Sequence, residues 1–216
     1  MDLLQIMKQL AGGMGTSIEI FTVTLLVSLP LGLLISFGRM SKNPVLRAAV
    51  KFYISIMRGT PLDASADGSI FRPLLSVRNP GGNGYRLWAA FIGFAVNYAA
   101  YFAEIYRSGI QSMPAGQYEA AKLLGYTKYQ TFFRIIFPQV VKRILPSITN
   151  EVITLVKDTS LAFTISVMEM FTVAKALASS QVSMVPFVAA GLFYYIFNLL
   201  VASFMEYAEK KMNYYQ

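Results

Sequence analysis

A chain of 216 residues with 55% hydrophobic and only 14% charged side chains, at a mean hydropathy of +0.49, is too apolar for a water-soluble domain of its size and reads as a membrane protein. Its net charge of +8 comes from Lys and Arg placed between apolar blocks rather than along one polar face, a pattern of membrane topology that argues against nucleic acid as a partner. With no Cys and no His, disulfides, thiol chemistry, imidazole acid–base catalysis and the usual zinc sites are excluded, so neither a metal nor a cofactor is expected.

Residues 1–13 are polar and mildly amphipathic, and the apolar run after them is too long for the core of a cleavable signal, so the first span is expected to stay in the mature protein. Residues 18–37 carry one charge, Glu19, and then run apolar for about the twenty positions a helix needs to cross hydrocarbon. Arg39, Lys42, Arg47 and Lys51 follow, which places that end in the cytoplasm and the N-terminus outside. A second apolar helix begins at Val45 and stops after Arg58-Gly59-Thr60-Pro61-Leu62; residues 63–84 read as a polar loop rich in Gly, Pro and Asn. Residues 87–105 form the next span, with Arg107 and the basic stretch through Arg143 at its inner end. Residues 144–171 and 185–205 are the last two, and Lys210 and Lys211 hold the C-terminus inside. An outside N-terminus and an inside C-terminus require an odd number of crossings. Four spans are plain, so a fifth must lie within residues 45–84.

Between two of these spans, residues 114–138 show an amphipathic turn of helix around Glu119-Ala120-Ala121, then Gly125 to end it, a second short helix, and Pro138 to begin a new direction. From physics alone this is equally well a plain hairpin joining two spans. The spacing Glu119-Ala120-Ala121, Gly125, Pro138 resembles the EAA loop of type I ABC importer permeases, with Phe137 where that family usually has Leu. Arg58-Gly59-Thr60-Pro61-Leu62, the stretch from Asn97 through Glu104 to Gly109, and that from Leu145-Pro146 to Ser160 resemble its polar amino-acid branch. The resemblance implies an all-α, five-transmembrane-helix permease in the bacterial plasma membrane. It implies a coupling helix at Glu119, Ala120, Ala121, Gly125 and Pro138 that docks on ABC ATPase subunits. It also implies an extracytoplasmic amino-acid-binding protein and a homodimer or a heterodimer with a similar subunit. No Walker loop occurs: Gly12-Gly13-Met14-Gly15 lacks the Lys and the preceding strand, so ATP would be bound by the partner.

Asn97, Asn150, Glu151, Lys157, Asp158 and Ser160 fall in or near spans, where uncompensated polar groups usually face a cavity or a partner helix. They are the candidates for a substrate path, against the simpler reading that Lys157 and Asp158 pair with neighbouring helices and Glu151 reaches cytoplasmic water. Arg58 is read as bracing the turn with Gly59, Thr60 and Pro61, with snorkelling as the other reading. Glu104 and Arg107, three apart, should pair. A channel or secondary transporter is the rival class, which would need no ATPase. A membrane-embedded enzyme is disfavoured by the missing His, Cys and carboxylate pair.

Residues 63–84 break the pattern, since the family continues from its R-G-T-P-L motif into an apolar helix. A true loop insertion is one explanation. Another is that Asp63-Ala-Ser-Ala-Asp-Gly68, back-translated and read one base later, gives Met-Leu-Gln-Leu-Met-Val, and that the same shift carried to Tyr85 permits an apolar helix followed by an exit turn. We read this stretch as a frame-shifted copy of the second span. If the protein carries it as written, the subunit should assemble poorly or be inactive, because the second span would lack much of its length.

Overall fold

The computed structural model describes residues 2–60 and 83–212; the sequence expectations for Pro61, Leu62 and residues 63–82, the frame-shift reading included, lie outside the described residues. Among the described residues all regular structure is helical. Helix α1 is Leu3–Arg39, α2 Pro44–Gly59, α3 Asn83–Gln111 and α4 Ala115–Leu123. A continuous helical stretch then runs from Lys128–Gln130 through a π-helical segment, Thr131–Ile136, into α5, Phe137–Asp158, and on into a 3-10 turn, Thr159–Ile165. Helices α6, Met170–Gln181, and α7, Val185–Met212, complete the fold.

Helix α1 begins at Leu3, well before the apolar run at residue 18. The reason is tertiary. Ile6, Leu10 and Met14 recur every four residues, bury one face, and pack on Met170, Ala174 and Leu177 of α6. Glycine allows the closest approach: a Cβ on Gly13 would lie 2.8 Å from Met170 Cα, and one on Gly32 would lie 2.8 Å from Phe102 Cβ. Small buried Ser17, Thr24, Ser28 and Ser36 extend that face of α1, and its most extensive pairing is with α3. Helix α3 crosses α5 by the same device, since a Cβ on Gly109 would be only 2.2 Å from Ile144 Cγ2. Phe94, Phe102, Val140, Val152, Leu155 and Val156 fill the central core between α3 and α5.

Two described helices, α1 and α7, are long and apolar enough on their own to cross a membrane, and a third crossing results if the bent pair Lys128–Ile165 and Met170–Gln181 counts as one span. Their bend is 59°. Where the sequence reads one span over 144–171, the helix therefore tightens after Asp158, closes at Ser166 in the left-handed region (φ 59°), and restarts at Met170. Helix α3 is long enough at 29 residues but less apolar than α1 and α7, because Asn97, Tyr98, Tyr101 and Glu104 interrupt its apolar residues.

Pro138 does not begin a new direction. It lies at the start of α5 within unbroken helix, directly after the six-residue π-helical segment. Proline is tolerated there because a π turn already displaces the regular i to i−4 bonding, so its missing N–H leaves no regular partner stranded.

Candidate functional site

The hairpin around α4 is built by local capping. Helix α4 closes when the Tyr126 N–H donates to the Ala121 carbonyl (3.0 Å) and the Gly125 N–H donates to the Lys122 carbonyl (3.0 Å), with Gly125 at φ +78°. This is a Schellman ending, whose left-handed residue favours glycine. Thr127 restarts the chain with a capping box: the Gln130 N–H donates to Thr127 Oγ1 (3.2 Å) and the Thr127 N–H to Gln130 Oε1 (2.9 Å). Ala121 is 1% exposed and faces inward, while Glu119 and Ala120 face out. At the tip Leu123 is 90% and Leu124 75% exposed, two leucines with no partner within the described chain.

Polar contacts hold the hairpin to the bundle. The side-chain amides of Gln117 on α4 and Gln139 on α5 exchange two hydrogen bonds (2.9 and 3.0 Å). Arg143 on α5 donates to the backbone carbonyl (2.8 Å) and hydroxyl (2.9 Å) of Ser112, which follows α3. Glu104 and Arg107 form the expected ion pair, in which the guanidinium Nε donates to Glu104 Oε1 at 2.8 Å. These contacts tie α4 to α5, and α5 to the end of α3.

The six path candidates divide into three groups. Asn150 and Lys157 lie on an open face of α5 with Ser147 and Thr154, all exposed. Glu151 and Asp158 are half-buried one step round the helix, where Asp158 accepts a hydrogen bond from the Tyr98 hydroxyl (2.7 Å). Asn97 and Ser160 are engaged with backbone: Asn97, 2% exposed, donates to the Met57 carbonyl (3.1 Å), and the Ser160 hydroxyl donates to the Lys157 carbonyl (2.7 Å). Asn97 therefore joins α3 to α2 beside the Tyr53 hydroxyl, which donates to the Val96 carbonyl.

Arg58 makes no hydrogen bond to the turn after α2 among the described residues; the Thr60 N–H and hydroxyl both donate to the Ile56 carbonyl there instead. Its guanidinium lies over the Tyr101 ring, Cζ 5.3 Å from the centroid. Two clefts open beside it. One, of about 370 Å³, is lined by Arg58, Glu104, Ser108, Arg143 and Ser147, and the other, of about 430 Å³, by Arg39, Lys51, Ser55, Arg58, Tyr101 and Glu104. No group of His, Cys, Asp and Glu suited to a metal occurs among the described residues.

The family model described as "Binding-protein-dependent transport system inner membrane component" matches residues 28–214. The chain belongs to that family. The α4 hairpin, the polar face of α5 and the clefts at Arg58 are thus parts of a transport-system membrane component, and the type I ABC importer permease fold is shared with solved structures. A crystal structure described as an amino acid ABC transporter with histidines superposes with a TM-score of 0.83 at 26% identity, covering 98% of this chain and 99% of that one. The probable amino-acid ABC transporter permease YckA of Bacillus subtilis (strain 168) is 37% identical over 205 residues, 94% of this chain and 88% of its own. The L-cystine transport system permease TcyB of the same organism is 33% identical over 208 residues, 95% and 87% of the two chains.

Sequence reasoning passed over two features of this transport component. Leu123 and Leu124 look like ordinary helix formers, and only their exposure singles them out. Glu169 sits in an apolar run, and its role comes from side chains distant in sequence that pack against it.

Proposed function

We propose that this chain is the membrane-spanning subunit of an ATP-driven importer that carries a polar amino acid into the cell. ABC ATPase subunits dock on the α4 hairpin, an extracytoplasmic amino-acid-binding protein delivers the substrate, and a second identical or similar permease completes the path. The chain crosses the bacterial inner membrane five times, N-terminus outside and C-terminus in the cytoplasm. One observation carries this reading: a rigidly capped hairpin presents Glu119, Ala120 and two bare leucines outward while Gln117 ties it to the helix that bears Asn150, Glu151, Lys157 and Asp158. Exposed leucines in water are unfavourable by about 1.5–3 kcal/mol each, so a partner surface is the natural place for them. The names of the relatives support an amino acid as the cargo.

Proteoliposomes holding the permease, its ATPase and its binding protein should take up an amino acid only while ATP is hydrolysed. Leu124→Asp should reduce co-purification of the ATPase at least about tenfold by placing a charge in a desolvated contact. Uptake that runs equally without ATP would replace this reading with a channel or secondary transporter.

The frame-shift reading of residues 63–84 is tested separately, by resequencing the gene. Two compensating single-base differences flanking this stretch are expected; an unshifted frame in every copy would establish a true insertion.

A further inference from the structure

The π-helical segment Thr131–Ile136 gathers aromatic side chains that a regular helix would part. Its closing bond runs from the Phe137 N–H to the Phe132 carbonyl, five residues back, and the two rings lie 5.6 Å apart between centroids. In an α-helix, residues five apart point about 140° away from each other around the axis, so regular winding would separate them. Phe133 packs against both, at 5.0 Å from Phe132 and 6.0 Å from Phe137, and Tyr129 lies 4.5 Å from Phe133. These rings do not form a core: Tyr129 is 71% and Phe133 41% exposed.

Phe37, near the end of α1, fixes the depth of the patch, because its ring meets Phe132 edge to face at 5.3 Å. Leu26, Pro30, Leu34 and Phe37 are exposed at helical spacing on α1, an apolar stripe on a helix long enough to cross the membrane. The aromatic patch continues this lipid-facing stripe at the level where α1 leaves the hydrocarbon. Charge points the same way. Residues 120–150 contain five Lys and Arg and no Asp or Glu. Two of those cations, Lys128 and Arg134, adjoin Tyr129 and Phe133 in sequence, are exposed, and form no ion pair among the described residues. Lipid phosphates complement them, whereas a second copy of this chain would bring the same cations.

We propose that this patch binds anionic phospholipid of the inner leaflet, with Tyr129 and Phe133 at the boundary of acyl chains and headgroups and Lys128 and Arg134 on the phosphates. The inference rests on the topology proposed above, in which α1 ends on the cytoplasmic side. The lipid fixes the root of the hairpin at the membrane surface, and the tip with Leu123 and Leu124 stays free for the ATPase.

The test places a tryptophan in the patch. Trp88 is the one Trp of the chain, so Phe133→Trp is made in a Trp88→Phe background, and the signal is the difference from Trp88→Phe alone. The permease–ATPase complex is held in nanodiscs whose two leaflets are alike, with either phosphatidylglycerol or phosphatidylcholine brominated near the headgroup end of its chains. Both lipids should quench, with an apparent preference for phosphatidylglycerol of about five- to thirtyfold, the effect of one to two cations at a charged surface. Replacing Lys128→Gln and Arg134→Gln together should bring that preference close to one and leave quenching by phosphatidylcholine in place. Equal quenching by the two lipids before that replacement overturns the proposal, and so does a preference that survives it. Quenching that appears only when the ATPase is removed gives the patch to the ATPase, and none in either state gives it to another protein surface; both overturn the proposal. Should Phe133→Trp fail to fold, Tyr129→Trp carries the same measurement at the more exposed ring. Topology is read separately from Lys128→Cys, the only Cys the chain would then have. Its reaction with an impermeant maleimide outside intact cells would overturn the topology and the inner leaflet with it, while the nanodisc result still decides lipid binding.

Discussion

Replacing Glu169 by Ala is expected to leave little assembled protein. Its wholly buried carboxylate accepts from the backbone N–H groups of Phe171 (2.7 Å) and Thr172 (2.6 Å) and from the hydroxyls of Thr172 (2.8 Å), Tyr194 (3.1 Å) and Ser17 (3.4 Å). Those donors belong to α6, α7 and α1, so one side chain caps α6 and joins three helices at the bend that follows α5. Alanine strands the two amides and the Tyr194 hydroxyl together, at about 1–3 kcal/mol for each buried group left unsatisfied. The sum is a large part of the stability of an ordinary domain. Glu169→Gln keeps one acceptor oxygen and should fall between the two. Monodisperse yield in detergent and unfolding temperature should both rank wild type above Gln above Ala. An Ala variant that matched wild type in both would mean that the donors find other partners and that this hub is dispensable.

The second large effect is expected at Gly125. Its φ of +78° lies in the left-handed region, and its N–H closes α4 on the Lys122 carbonyl. Proline, held near −65°, can adopt neither the angle nor the hydrogen bond, so Gly125→Pro must rebuild the end of α4 and displace Leu123 and Leu124. No atom lies within 4 Å of where a Cβ would project, so Gly125→Ala meets only the left-handed backbone cost of about 1–2 kcal/mol. Asparagine should be gentler still. ATP-driven uptake and ATPase co-purification should therefore be lost in the Pro variant and largely kept in the Ala and Asn variants. Transport by Gly125→Pro at the wild-type rate would show that the shape of this hairpin is not what couples ATP hydrolysis to movement.

These two positions differ in how much of them can be read without a structure. Gly125 is legible because the left-handed end of a short helix is a local event, decided within six residues from Ala121 to Tyr126. Glu169 is not, because its donors Ser17 and Tyr194 come from distant parts of the chain. The bend before α6 was hidden for a related reason. Hydropathy sums over residues whatever direction the chain takes, so residues 144–171 score as one stretch although Ser166 turns left-handed within them. Asn97 and Arg58 show the limit for polar groups inside a bundle. From sequence Asn97 is a path candidate and Arg58 braces the turn or snorkels, and their surroundings separate them: Asn97 donates to a carbonyl of α2, while the Arg58 guanidinium lies over the Tyr101 ring.

What the sequence by itself determined is the class of the protein: apolar blocks separated by basic segments, a chain without Cys or His, and a hairpin whose Glu119-Ala120-Ala121, Gly125 and Pro138 spacing marks its family. Composition and short-range spacing suffice for that, because bilayer insertion and helix capping are governed by neighbours along the chain. The tertiary structure alone decided where α1 begins, that Pro138 continues a helix, and which of Asn97, Asn150, Glu151, Lys157, Asp158 and Ser160 remain open. Each depends on what another helix places opposite: the backbone of Met170 against Gly13, Ile144 against Gly109, and Tyr98 against Asp158.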